Sequence, residues 1–434
     1  MNRSRNENLR AGEERRRQGA YAYGEAGAAA PRSRGPRAAG NRAPEKTGNS
    51  VVKRIRKRFK LFSVRSGLDM PFLFLILILV SIGLVMMFSA SYAYAYYNYG
   101  DSYLFIRSQA LFAVLGIVAM FAISFFDYHH FHKLAIPILM AAWGFLVLVL
   151  LLPAVKDVHR WIVIPGLGQF QPSEVAKFAL ILIFAHLISI NYKEMGTFRI
   201  GVLPFMIILL ITVALLIAEP HVSASVIMVL LAGVLLFIGG IKLRWFGIAM
   251  GAVAAGILYL VLFASDIGYA SDRIEAWLNP FSNATQQLID DTWQTRQSLY
   301  AVGSGGLLGV GIGQSRQKYL YLPEPQNDFV FAIVCEELGF IGALIIVILF
   351  ALLVWRGITI SLGARDKFGM LLGTGLSVQV GLQVILNICV VCNTIPNTGI
   401  SLPFFSYGGT SLVLLLAQMG IVLSISRNAN LERT

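Results

Sequence analysis

Charge is what this 434-residue chain has least of: 14% of its residues are Asp, Glu, Lys or Arg, against 56% that are hydrophobic. Soluble domains carry about 25% charged residues, so the composition excludes an ordinary soluble protein and points to a chain that crosses a membrane many times. Cysteine is scarce as well, with only Cys335, Cys389 and Cys392, all in apolar segments. That excludes a disulfide framework. Cys389-Val-Val-Cys392 has redox-motif spacing but lacks the βαβ setting such a motif needs, so the three thiols read as helix packing. An early cleavable signal is missing too, because the first apolar run starts late and is long enough to span. Acidic residues are rare in the first 66 positions, which hold 18 Lys/Arg and five Glu. The net charge of +13 therefore belongs to that tail, and the rest of the chain, with 18 groups of each sign, is neutral.

Residues 1–50, rich in Arg, Gly, Ala, Pro and Asn and without apolar periodicity, read as disordered. The basic run Lys53–Lys60 precedes the first apolar segment. It reads as an anchor that keeps the N-terminus inside, with contact to anionic lipid heads as the sharper alternative. The membrane accounts for this charge, so no nucleic-acid partner is expected.

Ten segments reach the roughly 20 residues needed to cross a bilayer. They lie near 71–92, 105–126, 134–152, 173–190, 200–218, 222–240, 245–264, 329–355, 368–391 and 407–426. The expectation is an all-α polytopic membrane protein: a basic cytoplasmic tail over 1–66, a transmembrane domain over 67–427, and a short tail over 428–434. Lys and Arg concentrate in alternate short loops, which puts both termini in the cytoplasm. The loops at 153–172, 265–328 and 392–406 then share the outer face. The longest, 265–328, joins helices seven and eight. It carries two aromatic-rich amphipathic stretches, 274–281 and 292–300, suited to a membrane surface.

Four groups on that face have the residue types for chemistry. Asp328 stands where the polar loop Tyr321–Asn327 runs into an apolar helix, with Glu336 and Glu337 two turns further in. A carboxylate there is costly to place and reads as a general acid or base, or else as an N-terminal helix carboxylate favoured by the helix dipole. In the second group, Pro172-Ser173-Glu174 starts a helix, and Glu174 and Lys177 share one of its faces and can pair, for function or only for packing. Arg160, just upstream, has the planar fork that clamps phosphate. Third is the Gly-rich run 303–313, followed by Arg316 and Lys318. No strand precedes it and no Walker lysine-serine follows, so it is not a nucleotide loop. The fourth, Ile395–Ser411, with its prolines and glycines, reads as a shaped non-helical loop of the kind that lines a cavity at membrane depth. His129, His130 and His132 cluster on the inner side without the spacing or carboxylate support of a metal site, and Gly239-Gly240 and Gly251–Gly256 read as helix packing.

With these groups in hand, the chain resembles the SEDS family of shape, elongation, division and sporulation proteins, FtsW, RodA and SpoVE, over about residues 70–427. Phe88-Ser-Ala-Ser91, Arg160-Trp161, Gln171-Pro-Ser-Glu-Val-Ala-Lys177, Gly303-Ser-Gly-Gly306, Leu322-Pro-Glu-Pro-Gln-Asn-Asp-Phe329, Glu336-Glu-Leu-Gly339 and Pro403-Phe-Phe-Ser-Tyr-Gly-Gly409 carry the likeness. The first and fifth look more like FtsW or SpoVE than RodA. The resemblance implies a peptidoglycan glycosyltransferase that polymerises lipid II into β-1,4 glycan at the outer face, during division. Asp328 would be catalytic, with Arg160, Glu174, Lys177, Arg316, Lys318, Glu336, Ser406, Gly408 and Gly409 as substrate-binding positions. It also implies a class B penicillin-binding protein transpeptidase and other division proteins as partners, and a septal location. A magnesium or manganese ion is an assisting group that no ligand cluster in the sequence establishes. The chain departs from the family at Glu219-Pro220-His221, where Gln/Glu-Pro-Asp is usual. A lipid flippase suits an intramembrane Glu/Lys pair, but the candidate groups gather at one face and not at the midplane. A non-catalytic scaffold is the other rival, and it predicts that Asp328 is dispensable.

Overall fold

The computed structural model describes residues 67–153, 159–164, 168–219, 221–248, 251, 277–281 and 286–429. The basic tail, most of the seventh expected span, the first three residues of the first amphipathic stretch and the last five residues fall outside them. Along the described residues run α1 (Met70–Tyr99), α2 (Leu104–Phe125), α3 (His129–Leu151), strands β1 (Ile162–Ile164) and β2 (Gly168–Phe170), and α4 (Pro172–Ile190). There follow α5 (Leu203–Ala218), entered through a short turn Phe198–Gly201, then α6 (Val222–Ile238), α7 (Gln286–Ser304), α8 (Val330–Leu362), α9 (Lys367–Val391) and α10 (Gly409–Asn428).

Eight of the described helical stretches are long and apolar enough to cross a membrane: α1 to α4, Phe198–Ala218, and α8 to α10. The protein is a multi-pass membrane protein, mostly helical. α6, at 17 residues, is shorter. The centre of the bundle is α4, α9 and α10, whose apolar windows are the most buried. α9 packs against α8, α4 and α6, while α10 lies along α2 and α3 along α4. The outer helices turn Val114, Val118, Ile136, Met140, Leu210 and Ile217 outward, which suits hydrocarbon around them. Polar side chains of α9, Ser377, Gln379, Gln383 and Asn387, are buried within the bundle; Ser377 Oγ donates to the Gly373 carbonyl at 2.8 Å.

Local chemistry sets the helix ends. Asp69 caps α1 by accepting from the Phe72 amide at 3.0 Å, and its two oxygens also receive the Arg356 fork, at 3.1 and 2.6 Å. Asp366 caps α9 through the Gly369 amide at 3.1 Å. It also takes hydrogen bonds from Tyr128 and His129, which hold its carboxyl down at about 2 against the opposing effect of burial.

One helix is interrupted. Gly339 in α8 has φ 69 and ψ −172, outside helical space, in a region where residues bearing a Cβ are strained. The chain segment 305–311 fills the break. Val310 and Gly311 donate to the carbonyls of Glu336 and Glu337 at 3.0 Å each, and Phe340 and Ile341 donate to those of Gly306 and Leu307 at 2.9 and 3.1 Å. The backbone groups freed by the break are thus satisfied, the condition for tolerating one at membrane depth.

The expected loop 153–172 contains a short β structure. β1 and β2 form an antiparallel hairpin pairing Ile162 with Phe170 and Ile164 with Gly168. The second amphipathic stretch lies within α7. It is tied down by Ser298 Oγ donating to the Val391 carbonyl at 2.8 Å and by Trp293 Nε1 donating to that of Tyr321 at 2.8 Å.

Candidate active site

Three segments meet at one end of the bundle. They are the hairpin with the start of α4, the Pro323–Phe329 run before α8, and the 395–408 segment before α10. Thr410 Oγ1 donates to the Gln169 carbonyl at 2.8 Å, the Tyr407 amide to the Gln326 carbonyl at 2.8 Å, and Ser223 Oγ to the Thr398 carbonyl. Two buried amides pin the same segments from below. Gln109 of α2 donates to the Ser406 carbonyl at 3.2 Å and accepts from the Gly408 amide at 3.1 Å. Asn387 of α9 donates to the carbonyls of Asp328 and Ile400, at 2.7 and 2.6 Å.

Between them lies a cavity of about 510 Å³ lined by Arg160, Glu174, Lys177, Asp328, Ser406, Gly408 and Gly409 among others. That volume suits a small-molecule site. Lys177 Nζ stands 2.8 Å from Glu174 Oε1, the two side chains being 3% and 13% exposed. The first turn of α4 does this, since positions three apart share a helix face. Arg160 reaches the Glu219 carbonyl through Nε at 3.4 Å.

Asp328 sits two residues before α8. Among the described residues no side chain or amide donates to its carboxylate. The Gly399 backbone is so close that a Cβ there would stand 3.1 Å from Oδ2. Burial raises the Asp328 carboxyl to about 6, the Glu324 charge adds to the rise, and Arg160 opposes it. The group is therefore mostly ionised at neutral pH and more basic than a solvated carboxylate, the range that suits a general base.

Not every residue singled out from sequence reaches this cavity. Glu336 and Lys318 are buried in a second network beside the α8 break. Lys318 Nζ pairs with Glu337 Oε1 at 2.8 Å and donates to Ser89 Oγ at 3.2 Å, while Ser89 Oγ donates to Glu337 at 2.7 Å. Glu336 accepts from the Arg316 amide at 2.9 Å, the Gln317 amide at 3.4 Å and the Ser315 hydroxyl. These groups hold the Gly-rich segment on the broken helix, and neither Lys318 nor Glu336, both expected as substrate-binding positions, lines the cavity. The Arg316 side chain is exposed and does not line the cavity. Nearness in sequence to Asp328 does not bring these groups to the cavity, because the turns between 305 and 322 carry them to the α8 break. Ser406 and Gly409 line the cavity but also hold its wall. Ser406 Oγ accepts from the Leu402 amide at 2.7 Å, and any Cβ on Gly409 would collide with the Phe112 ring.

Sequence reasoning missed Glu324, Asn387, Gln109 and His221. Only His221 carried a signal, as the departure from the family pattern. Beside it Glu219 is fully buried, neither carboxylate oxygen having a hydrogen-bond partner among the described residues. Burial pushes its carboxyl up to about 8, against the pull of Arg160.

A family model described as cell cycle protein, covering FtsW, RodA and SpoVE, matches residues 70–431. Stage V sporulation protein E of Bacillus subtilis is 41% identical over 338 residues, spanning 76% of this chain and 89% of that protein. A probable peptidoglycan glycosyltransferase FtsW of Geobacter sp. strain M18 is 38% identical over 333 residues, spanning 76% and 88%. Among solved structures, a chain of a peptidoglycan synthase complex superposes with a TM-score of 0.69 at 24% identity, covering 84% of this chain and 99% of that one. The rod shape determining protein RodA of Thermus thermophilus superposes with 0.61 at 25% identity, with the same coverage.

Proposed function

This chain belongs to the FtsW/RodA/SpoVE family of cell cycle proteins, and from that membership and the cavity we propose that it is a peptidoglycan glycosyltransferase. It polymerises lipid II into β-1,4 glycan at the outer face of the cytoplasmic membrane. One observation carries the reading: the Asp328 carboxylate, with no donor of its own among the described residues, shares a cavity with Arg160, Glu174 and Lys177. The Lys/Arg bias of the loops supports the orientation.

In this mechanism Asp328 takes the proton from a sugar hydroxyl of one lipid-linked glycan as that oxygen attacks the anomeric carbon of the other. The bond from that carbon to the pyrophosphate oxygen breaks, the electron pair leaves with undecaprenyl pyrophosphate, and the carbon inverts to the β-1,4 link. Arg160 holds the pyrophosphate with its guanidinium fork. Lys177, already paired with Glu174, contributes as part of that pair and keeps this wall electrically balanced. The Pro323–Phe329 and 395–408 segments position the sugars, held by Asn387 and Gln109.

A magnesium ion needs only one or two carboxylates when substrate phosphates complete its shell. Among the described residues no three potential ligands stand together, and Glu324, on the cavity wall beside Asp328, is the carboxylate that would hold magnesium or manganese with the substrate phosphates. When bound, the ion would neutralise charge on the pyrophosphate. The partner of this reading is a class B penicillin-binding protein transpeptidase within the division machinery at the septum, and the basic tail 1–66 lies in the cytoplasm.

The test is glycan synthesis from lipid II by the purified full-length protein, with and without the transpeptidase, for wild type and Asp328→Asn. Polymer from wild type and none from the folded variant is expected. Equal polymer from both removes Asp328 from the mechanism. No polymer from either, with the partner present, favours a flippase or scaffold.

A further inference from the structure

The turn between α5 and α6 places one more polar group on the cavity wall. The backbone of His221 is fixed: its amide donates to the Leu216 carbonyl at 2.8 Å, and its carbonyl receives Ser225 Oγ at 3.3 Å. Its side chain lines the cavity and is only 7% exposed. Nδ1 is sealed from solvent, with no hydrogen-bond partner among the described residues. The ring lies where the positive charges of Arg160 and Lys177 both reach it.

We propose that His221 is a substrate-binding residue whose Nε2–H donates a hydrogen bond to a phosphate oxygen of the lipid-linked substrate, on the wall shared with Arg160 and Lys177. A sealed N–H without an acceptor is costlier than a sealed lone pair, so the proton belongs on Nε2, the nitrogen left to face the cavity. Burial, with Arg160 and Lys177 adding to it, lowers the imidazole to about 3, so the ring is neutral across physiological pH. It therefore offers a donor without a third cation to desolvate. An aspartate at this position would instead place an anion beside the phosphate. The proposal rests on reading the cavity as the lipid II site.

The experiment measures binding of undecaprenyl pyrophosphate and, separately, of undecaprenol to the full-length protein in lipid nanodiscs. The wild type is compared with His221→Leu, His221→Gln and His221→Asp. Loss of one hydrogen bond to a charged group predicts about tenfold weaker undecaprenyl pyrophosphate binding for His221→Leu. His221→Gln, which keeps a neutral donor, stays close to wild type, and His221→Asp is weaker than His221→Leu. Undecaprenol binding is unchanged in all three. Wild-type affinity for the pyrophosphate lipid in folded His221→Leu overturns the proposal. Equal loss of both lipids also overturns it, because the ring would then only shape the cavity. Should His221→Leu not fold, His221→Gln and His221→Asp decide: equal pyrophosphate affinity overturns the assignment. A wild type that binds undecaprenyl pyrophosphate but makes no polymer from lipid II with its transpeptidase sinks the enzyme reading and leaves His221 as a phosphate ligand.

Discussion

The side-chain amide of Asn387 donates to the backbone carbonyl of Asp328 at 2.7 Å, and the same nitrogen reaches the Ile400 carbonyl at 2.6 Å. One buried side chain in the middle of the bundle thus sets the spacing of the two segments that enclose the cavity. Asn387→Ala orphans two buried carbonyls at about 1–3 kcal/mol each. It also loosens the placement of Asp328, so the expected result is a lower thermal midpoint with a fall in polymerisation rate of at least tenfold. A variant that keeps wild-type turnover would show that the spacing is held elsewhere.

The raised carboxyl of Asp328 gives the reaction a pH signature. The base must be ionised, so kcat/KM for lipid II should fall tenfold per pH unit below about 6 and level off above it. The sign for stability is opposite. A carboxyl whose folded pKa lies above its unfolded value destabilises the ionised native state, so stability rises as pH falls through 6 toward the unfolded value. Asp328→Asn should therefore melt at a higher temperature than wild type at pH 7.5 while making no polymer. A pH profile flat from 5 to 8 would remove the base role.

Glu174 and Lys177 form a nearly sealed ion pair. Removing one partner leaves a buried charge and costs about 3–5 kcal/mol, whereas removing both is far milder. Thermal unfolding of Lys177→Met, Glu174→Gln and the double variant should show strong coupling, with the double variant more stable than Lys177→Met alone. Additive effects would mean that each side chain has other partners.

Lys318 and Glu337 make the parallel case at the α8 break. Because they anchor the Gly-rich segment and do not face the cavity, Lys318→Met should lower folded yield by the same buried-charge mechanism. Lys318→Met with Glu337→Leu should recover part of it, with KM for lipid II within about twofold of wild type. A selective rise in KM in the folded double variant would return Lys318 to the substrate.

Gly339→Ala tests the break itself. A Cβ there would collide with backbone atoms of Gly309 and Leu307, at a φ of 69 that alanine rarely adopts. The expected outcome is a failure to accumulate folded protein, read by size-exclusion profile after extraction.

Much of the fold was legible because crossing hydrocarbon demands long apolar runs, and these are one-dimensional. The segments expected near 71–92, 105–126, 134–152, 173–190, 200–218, 329–355, 368–391 and 407–426 all contain described spanning-length helices, while the one near 222–240 is the shorter α6. Pro172, expected at a helix start, is the first residue of α4. The Glu174–Lys177 pair was legible for the same reason, since i,i+3 spacing is a local property of a helix. The β1–β2 hairpin was not, because three-residue strands leave no periodicity to read.

The sequence by itself determined that this is a multi-pass helical membrane protein, and its motifs placed it in a family, since both properties are written along the chain. Only the tertiary structure decided which polar groups share a cavity. Lys318 stands ten positions from Asp328 yet is folded into the Glu337 network, while Arg160, 168 positions away, lines the same wall as Asp328. Burial, charge and hydrogen bonding act through space over a few ångströms. The broken helix at Gly339, the pinning amides of Gln109 and Asn387, and the sealed ring of His221 set those distances.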